Sequence, residues 1–200
     1  LIGFIDDLVI GKSKNEAMGL NQWQKPLLTV IAAIPLMVMN AGTTQTVIPL
    51  LGKVNLGILY PLLAIPVGVI GASNMVNMLG GLNGLEAGLG LVYIGSLGLF
   101  AYAHQRYLAA LLCLMLFLPL LVFFYYNKYP AKIFPGNSLT YLLGGTLATI
   151  AVVGNIEKAA LIVSVPFFIE FVLKLRGRLK KPTVGYVKDG KVYSQHDKVY

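Results

Sequence analysis

"YLAALLCLMLFLPLLVFFYY", Tyr107–Tyr126, runs for twenty residues without a charge. A helix needs about 20 mainly apolar residues to cross the hydrocarbon core of a bilayer. The stretch reads as a membrane span, and that reading governs the rest. Working outward, similar segments lie at about 24–41, 56–73, 87–104, 138–155 and 157–175. Residues 1–10 read as the cytoplasmic end of an earlier span. The chain opens at Leu1, inside an apolar stretch, and reads as lacking its N-terminal part. Pro35, Pro66, Pro119 and Pro166 fall within the spans, where membrane helices tolerate proline.

Composition agrees. The chain is 56% hydrophobic and 12% charged, half the roughly 25% charged residues of a soluble domain. Its single cysteine, Cys113, lies within a span, which excludes a disulfide framework and a cysteine-based zinc site. A net charge of +8 on a soluble surface would suggest nucleic acid. On this chain it reads as topology, with no nucleic-acid partner. The 11–23, 74–86 and 127–137 connections and the C-terminal tail alternate onto one side of the membrane. With the border residues Lys25 and Lys174, that side carries thirteen of the sixteen lysines and arginines, leaving Lys53, Arg106 and Lys158 opposite. Basic residues concentrate on cytoplasmic loops, so the rich side is expected to be cytoplasmic. The expected fold is an all-α polytopic bundle of six spans plus an N-terminal helix stub. Residues 1–175 would form the transmembrane core and 176–200 a basic cytoplasmic tail. In that tail "YVKDGKVY" (186–193) reads as a hairpin about Asp189-Gly190. Segments 43–49 and 52–57 read as a second pairing, on the outer face.

The polar clusters converge on the cytoplasmic side. They are Asp6-Asp7, "NMVNMLGGLNGLEAG" (74–88), "KIFPGNSLTYLLGG" (132–145) and "LRGRLKKP" (175–182). Each alone has a plain structural account. The aspartates can be interfacial charges, and Asn74 and Asn77, three apart on one helix face, can join helices. The glycines can form a flexible turn, Asn137 or Ser138 can cap the next helix, and the tail can rest on lipid headgroups. Together they describe phosphate chemistry. Carboxylate and amide oxygens suit Mg²⁺, which keeps waters and binds substrate phosphates. Gly80, Gly81 and Gly84 allow close backbone approach, a helix N-terminus offers N–H groups to an anion, and basic side chains clamp a diphosphate.

These residues carry a resemblance. "GFIDDL", "NMVNMLGGLNGLEAG" and "FPGNSLTYLLGG" resemble three motifs of the polyprenyl-phosphate N-acetylhexosamine-1-phosphate transferases, glycosyl transferase family 4. "NGLEAG" is most similar to the dolichyl-phosphate N-acetylglucosamine-phosphotransferase branch of archaea and eukaryotes. The resemblance runs from Leu1 to about Lys191 and implies transfer of a sugar-1-phosphate, GlcNAc-1-phosphate by branch, from a UDP-N-acetylhexosamine to a polyprenyl phosphate lipid, with release of UMP. It implies catalytic roles for Asp6, Asp7 and Lys25, the lysine in "NQWQKP". It implies Mg²⁺ ligation by Asn77 and Asn137, with Mn²⁺ as the alternative ion. Asn74, Gly81, Asn83 and Phe134 would bind substrate, Phe134 by stacking on uracil. Arg178 and Lys180 are the nearest equivalents of the family's basic tail motif. By analogy, a homodimer and a multi-pass location follow, in a prokaryotic plasma membrane or the endoplasmic reticulum. The chain departs from the family at Asn137, where aspartate is usual. Two other readings stand beside this one: a secondary transporter, with polar groups at the bilayer midplane, and a catalytically silent homologue.

Overall fold

The computed structural model describes residues 1–12, 23–39, 45–48, 52–176, 185–188 and 191–194. Eight α-helices dominate these residues: α1 (Ile2–Lys12), α2 (Gln24–Val38), α3 (Ile65–Met78), α4 (Leu85–Ala103), α5 (Tyr107–Asn127), α6 (Gly136–Gly154), α7 (Glu157–Val163) and α8 (Val165–Arg176). Strands β1 (Gln45–Ile48) and β2 (Gly52–Asn55) pair antiparallel, as do β3 (Gly185–Lys188) and β4 (Lys191–Ser194). The Asp189-Gly190 turn lies outside the described residues.

Four helical segments are long and apolar enough to cross a membrane: Tyr60–Met78, Leu85–Ala103, Tyr107–Asn127 and Gly136–Gly154. They mark a membrane protein. On α5, Leu111, Leu114, Leu118 and Val122 are exposed, as side chains facing lipid must be. The other two expected spans differ. Helix α2 has 15 residues, which at 1.5 Å each reach about 22 Å, short of the roughly 30 Å hydrocarbon core. The segment expected as one span at 157–175 is divided at Ser164 into α7 and α8. Pro166 has no N–H for the helix ladder. The Ser164 hydroxyl instead donates to the Ala160 carbonyl at 2.6 Å, and the Phe167 N–H returns to the Ser164 carbonyl at 3.0 Å.

The span expected at 56–73 runs later in the chain, from Tyr60 to Met78. Its first turn, Tyr60–Ala64, is a π-helix. Pro66, which cannot donate to Leu62, stands two residues beyond Ala64, and such a widened turn accommodates the missing bond. At its other end the helix continues through Asn74 and Asn77. These residues therefore lie in the last turn of α3, where expectation put them in a connection.

Small residues set the helix spacing. On α4, a Cβ at Gly95 would lie 3.2 Å from Phe117, and one at Gly98 would lie 3.0 Å from Cys113. This stripe lets α5 lie close along α4. Helix α6 meets α3 more tightly still. A Cβ at Gly144 would come 2.4 Å from the Ala72 carbonyl oxygen and 2.5 Å from the Ser73 Cα. Buried Ile94, Leu97, Leu143, Leu147 and Ile150 form the main core, and Ala33, Tyr60, Ile65, Val69 and Val152 join a second. Helix α6 contributes to both, so its N-terminus is fixed relative to α2, α3 and α4.

Candidate functional site

The site is built where α1 and the starts of α2 and α6 meet the end of α3. Asp6 on α1 is fully buried, and the Lys25 ammonium on the first turn of α2 lies 2.6 Å from its Oδ2. A carboxylate at such depth requires a partner, and Lys25 supplies it. The Lys25 side chain remains 21% exposed. An ammonium carries three donors, so it can hold Asp6 and still reach a ligand.

Beside this pair runs a chain of polar side chains. Thr29 on α2 donates to the Pro26 carbonyl at 2.7 Å and accepts from the Asn74 amide at 3.3 Å. The same amide group donates to the Ile70 carbonyl at 2.8 Å, and Asn74 Oδ1 accepts from the Tyr141 hydroxyl at 3.3 Å. One turn along α3, Asn77 Oδ1 accepts from the buried Thr140 hydroxyl at 2.6 Å. The Thr140 oxygen also lies 3.2 Å from the Asn137 carbonyl oxygen. Thr140 thus brings Asn77 and Asn137 to one edge of the site.

Asp7 turns to a different neighbour. Its Oδ1 accepts the Asn137 N–H at 2.8 Å, and its Oδ2 accepts the Ser138 N–H at 2.8 Å and the Ser138 hydroxyl at 2.6 Å. The start of α6 is therefore capped from α1. This corrects the expectation that Asn137 or Ser138 caps this helix with its own side chain. It also corrects the expectation that these N–H groups await a phosphate, because the Asp7 carboxylate already occupies them.

Two further residues shape the connections. Glu86, in the first turn of α4, is buried, and its Oε1 accepts the Gly81 N–H at 2.6 Å. Asn127, at the end of α5, is fully buried. It accepts the Gly84 N–H at 3.2 Å and donates to the Ile133 carbonyl at 2.9 Å. Glu86 ties down the glycine connection, and Asn127 joins that connection to the one carrying Phe134. Neither residue was singled out as a site residue from the sequence. The signals available were an acid in the first turn of a helix after a glycine run, and an amide closing an apolar span.

Of the expected site residues, Asp6 and Lys25 meet directly, and Asp7 meets the Asn137 backbone. Asn74 and Asn77 line the same helix end. Gly81 and the exposed Asn83 lie on the glycine connection, and Phe134 is 65% exposed beside α6. Arg178 and Lys180 lie outside the described residues. Among the described residues, no group of three or more His, Cys, Asp or Glu side chains could hold a metal ion. At the edge bridged by Thr140 stand the side-chain amide oxygen of Asn77 and the backbone carbonyl of Asn137.

Comparison with known proteins bears on this arrangement. The family described as glycosyl transferase family 4 matches residues 1–155. A protein of Saccharolobus solfataricus, provisionally named UDP-N-acetylglucosamine–dolichyl-phosphate N-acetylglucosaminephosphotransferase, is 36% identical over 195 residues, covering 96% of this chain and 58% of the relative. A Sulfolobus acidocaldarius protein of the same provisional name is 36% identical over 191 residues, covering 94% and 55%. The phospho-N-acetylmuramoyl-pentapeptide-transferase of Lactiplantibacillus plantarum is 39% identical over 173 residues, covering 84% and 53%. The chain therefore spans little more than half the length of these relatives.

Proposed function

Because this chain belongs to glycosyl transferase family 4, we propose that it transfers N-acetylhexosamine-1-phosphate from a UDP-sugar to a polyprenyl phosphate, releasing UMP. The provisional names of the archaeal relatives favour GlcNAc-1-phosphate and a dolichyl-type lipid. The observation that carries the reading is the buried Asp6–Lys25 pair beside Asn74 and Asn77, at the end of a bundle of apolar helices. A transporter would hold such groups near helix centres. Here Lys25 lies at the start of α2, and Asn74 and Asn77 lie at the end of α3. By the distribution of basic residues, that end faces the cytoplasm, with the chain multi-pass.

The chemistry follows from charge. A phosphate monoester has its second pKa near about 6, so the lipid phosphate is largely dianionic at neutral pH and needs little help from a base. It needs a positive partner, and Lys25 provides one by point charge. Asp6 fixes the direction of the lysine, whose exposed part is left to meet the phosphate. An oxygen of the lipid phosphate attacks the sugar-linked phosphorus, a P–O bond forms, the bond from that phosphorus to the bridging oxygen breaks, and UMP leaves with the electron pair. Asn77 and Asn137 would hold a magnesium ion bound with the diphosphate. Their amide oxygens are hard donors, and Mg²⁺ takes few protein ligands when phosphates supply the rest; Mn²⁺ would suit the same donors. When bound, the ion would neutralise the diphosphate and the departing UMP. Phe134, exposed on the neighbouring connection, offers a face for the uracil. Between α3, α6, α7 and α8 lies an apolar cavity of about 400 Å³, lined by Val67, Gly68, Met75, Leu147 and Phe168, with the character an isoprenoid chain requires.

The test is UMP release from UDP-N-acetylglucosamine by membranes containing the full-length protein and dolichyl phosphate, with and without Mg²⁺. Release that depends on both the lipid and the ion is expected, and Asn77→Ala should abolish it while the protein stays folded. A lipid-independent signal, or none, would count against the reading.

A further inference from the structure

Asp6 and Asp7 are neighbours in the chain, but successive helix residues point about 100° apart. The two carboxylates serve different helices. Asp6 faces the start of α2 and its lysine. Asp7 faces the first turn of α6, where its two oxygens accept three hydrogen bonds from Asn137 and Ser138.

The contact is built from both sides. Gly3, one helical turn before Asp7 and on the same face, sits against Asn137, and a Cβ there would fall 2.2 Å from the Asn137 carbonyl oxygen. Gly136 has φ +58°, a left-handed conformation, and a Cβ on it would come 2.8 Å from Asp7 Oδ2. Side chains at either position would push α1 and α6 apart and draw the carboxylate from its donors. The hydrogen-bonded turn, Gly136–Ser138, is separated from Phe134 only by Pro135. It includes Asn137, whose carbonyl oxygen lies against Thr140, which in turn bonds Asn77.

We propose that Asp7 is a positioning residue for the nucleotide side of the site. Its carboxylate holds the Gly136–Ser138 turn, and through it sets Phe134 and Asn137, while Asp6 and Lys25 face the lipid phosphate. The proposal deepens the transferase reading above and rests on it. It divides the two adjacent aspartates between the two substrates.

Asp7→Asn tests this, because it replaces one acceptor oxygen with an NH₂ group that must confront an N–H donor. Full-length protein in detergent should bind UDP-N-acetylglucosamine about tenfold more weakly by calorimetry, the effect of losing one hydrogen bond to a charged group. The KM for the UDP-sugar should rise in parallel, and the KM for polyprenyl phosphate should stay within twofold. Amide hydrogen exchange at Asn137 and Ser138 should speed up without general loss of protection elsewhere in α6. Ser138→Ala removes one of the three bonds and should move the same quantities in the same direction by less. Asp7→Glu keeps the charge and should recover part of the UDP-sugar affinity. The proposal is overturned if Asp7→Asn leaves UDP-sugar binding and amide exchange unchanged while kcat falls or the lipid KM rises. That pattern would return Asp7 to the lipid phosphate. If the wild-type protein bound no UDP-sugar, the transferase reading itself would fall. Failure of the Asp7 assignment alone would appear only in the variants.

Discussion

At the scale of the residue, position 137 carries a difference of charge. An aspartate is usual in the resembling motif, and this chain has Asn137. If its oxygen holds a divalent ion, Asn137→Asp adds an anionic donor without moving the backbone, whose N–H stays on Asp7. The Mg²⁺ concentration for half-maximal UMP release should then fall several-fold, with turnover retained. A titration at saturating UDP-sugar decides the matter. An unchanged half-maximal concentration would leave Asn137 with its backbone role alone, the N–H that Asp7 accepts. Much of the residue-level site was legible in the sequence. Asp6, Asn74 and Asn77 stood out because polar groups among apolar residues need a reason, and the Gly-rich run stood out for its close backbone approach. The partner of Asp7 was not legible. Nothing local to residues 3–8 says that its carboxylate meets an N–H group 130 residues away. Asn127 was hidden for a similar reason: its two partners lie on connections that only the fold brings together.

At the scale of the element, the contact between α3 and α6 is set by one missing side chain. A methyl at Gly144 would press on the backbone of Ala72 and Ser73, which no rotamer change can relieve. Gly144→Ala should therefore destabilise the bundle by about 1–3 kcal/mol, the usual cost of overpacking. It should also impair UMP release, because Thr140 and Asn77 sit one turn away on the two helices it separates. Gly68→Ala is the control. A Cβ there meets nothing within 4 Å, and the temperature of thermal unfolding in detergent should not fall. The helix boundaries were only partly readable. Apolar length placed α4, α5 and α6 within a residue or two. It misplaced the end of α3, because the asparagines that looked like a connection are bonded across to Thr29, Thr140 and Tyr141 and stay helical. It also joined α7 to α8, because mean hydropathy cannot register the backbone bond that Pro166 removes.

At the scale of the whole molecule, the proposed multi-pass placement would present the two ends of the bundle to different compartments. Helix α5 has 21 residues and spans about 31 Å at 1.5 Å per residue, the thickness of a hydrocarbon core. Exposed Arg106 and Lys128 flank it at opposite ends. In a background lacking Cys113, a cysteine at Lys128 should react with an impermeant maleimide only from the cytoplasmic side, and one at Arg106 only from the other. Labelling of both from one side would refute the transverse placement. The order in which the parts are made matters too. Asp7 is synthesised 131 residues before Ser138. At about 5–20 residues per second, a nascent chain waits roughly 7–26 s between making the carboxylate and making its partner. During that interval Asp6 can already meet Lys25, while the donors that hold Asp7 do not yet exist. The joint between α1 and α6 therefore cannot close until the chain has grown past Ser138, and a ribosome stalled before that residue would leave one of the two adjacent acids without its α6 donors.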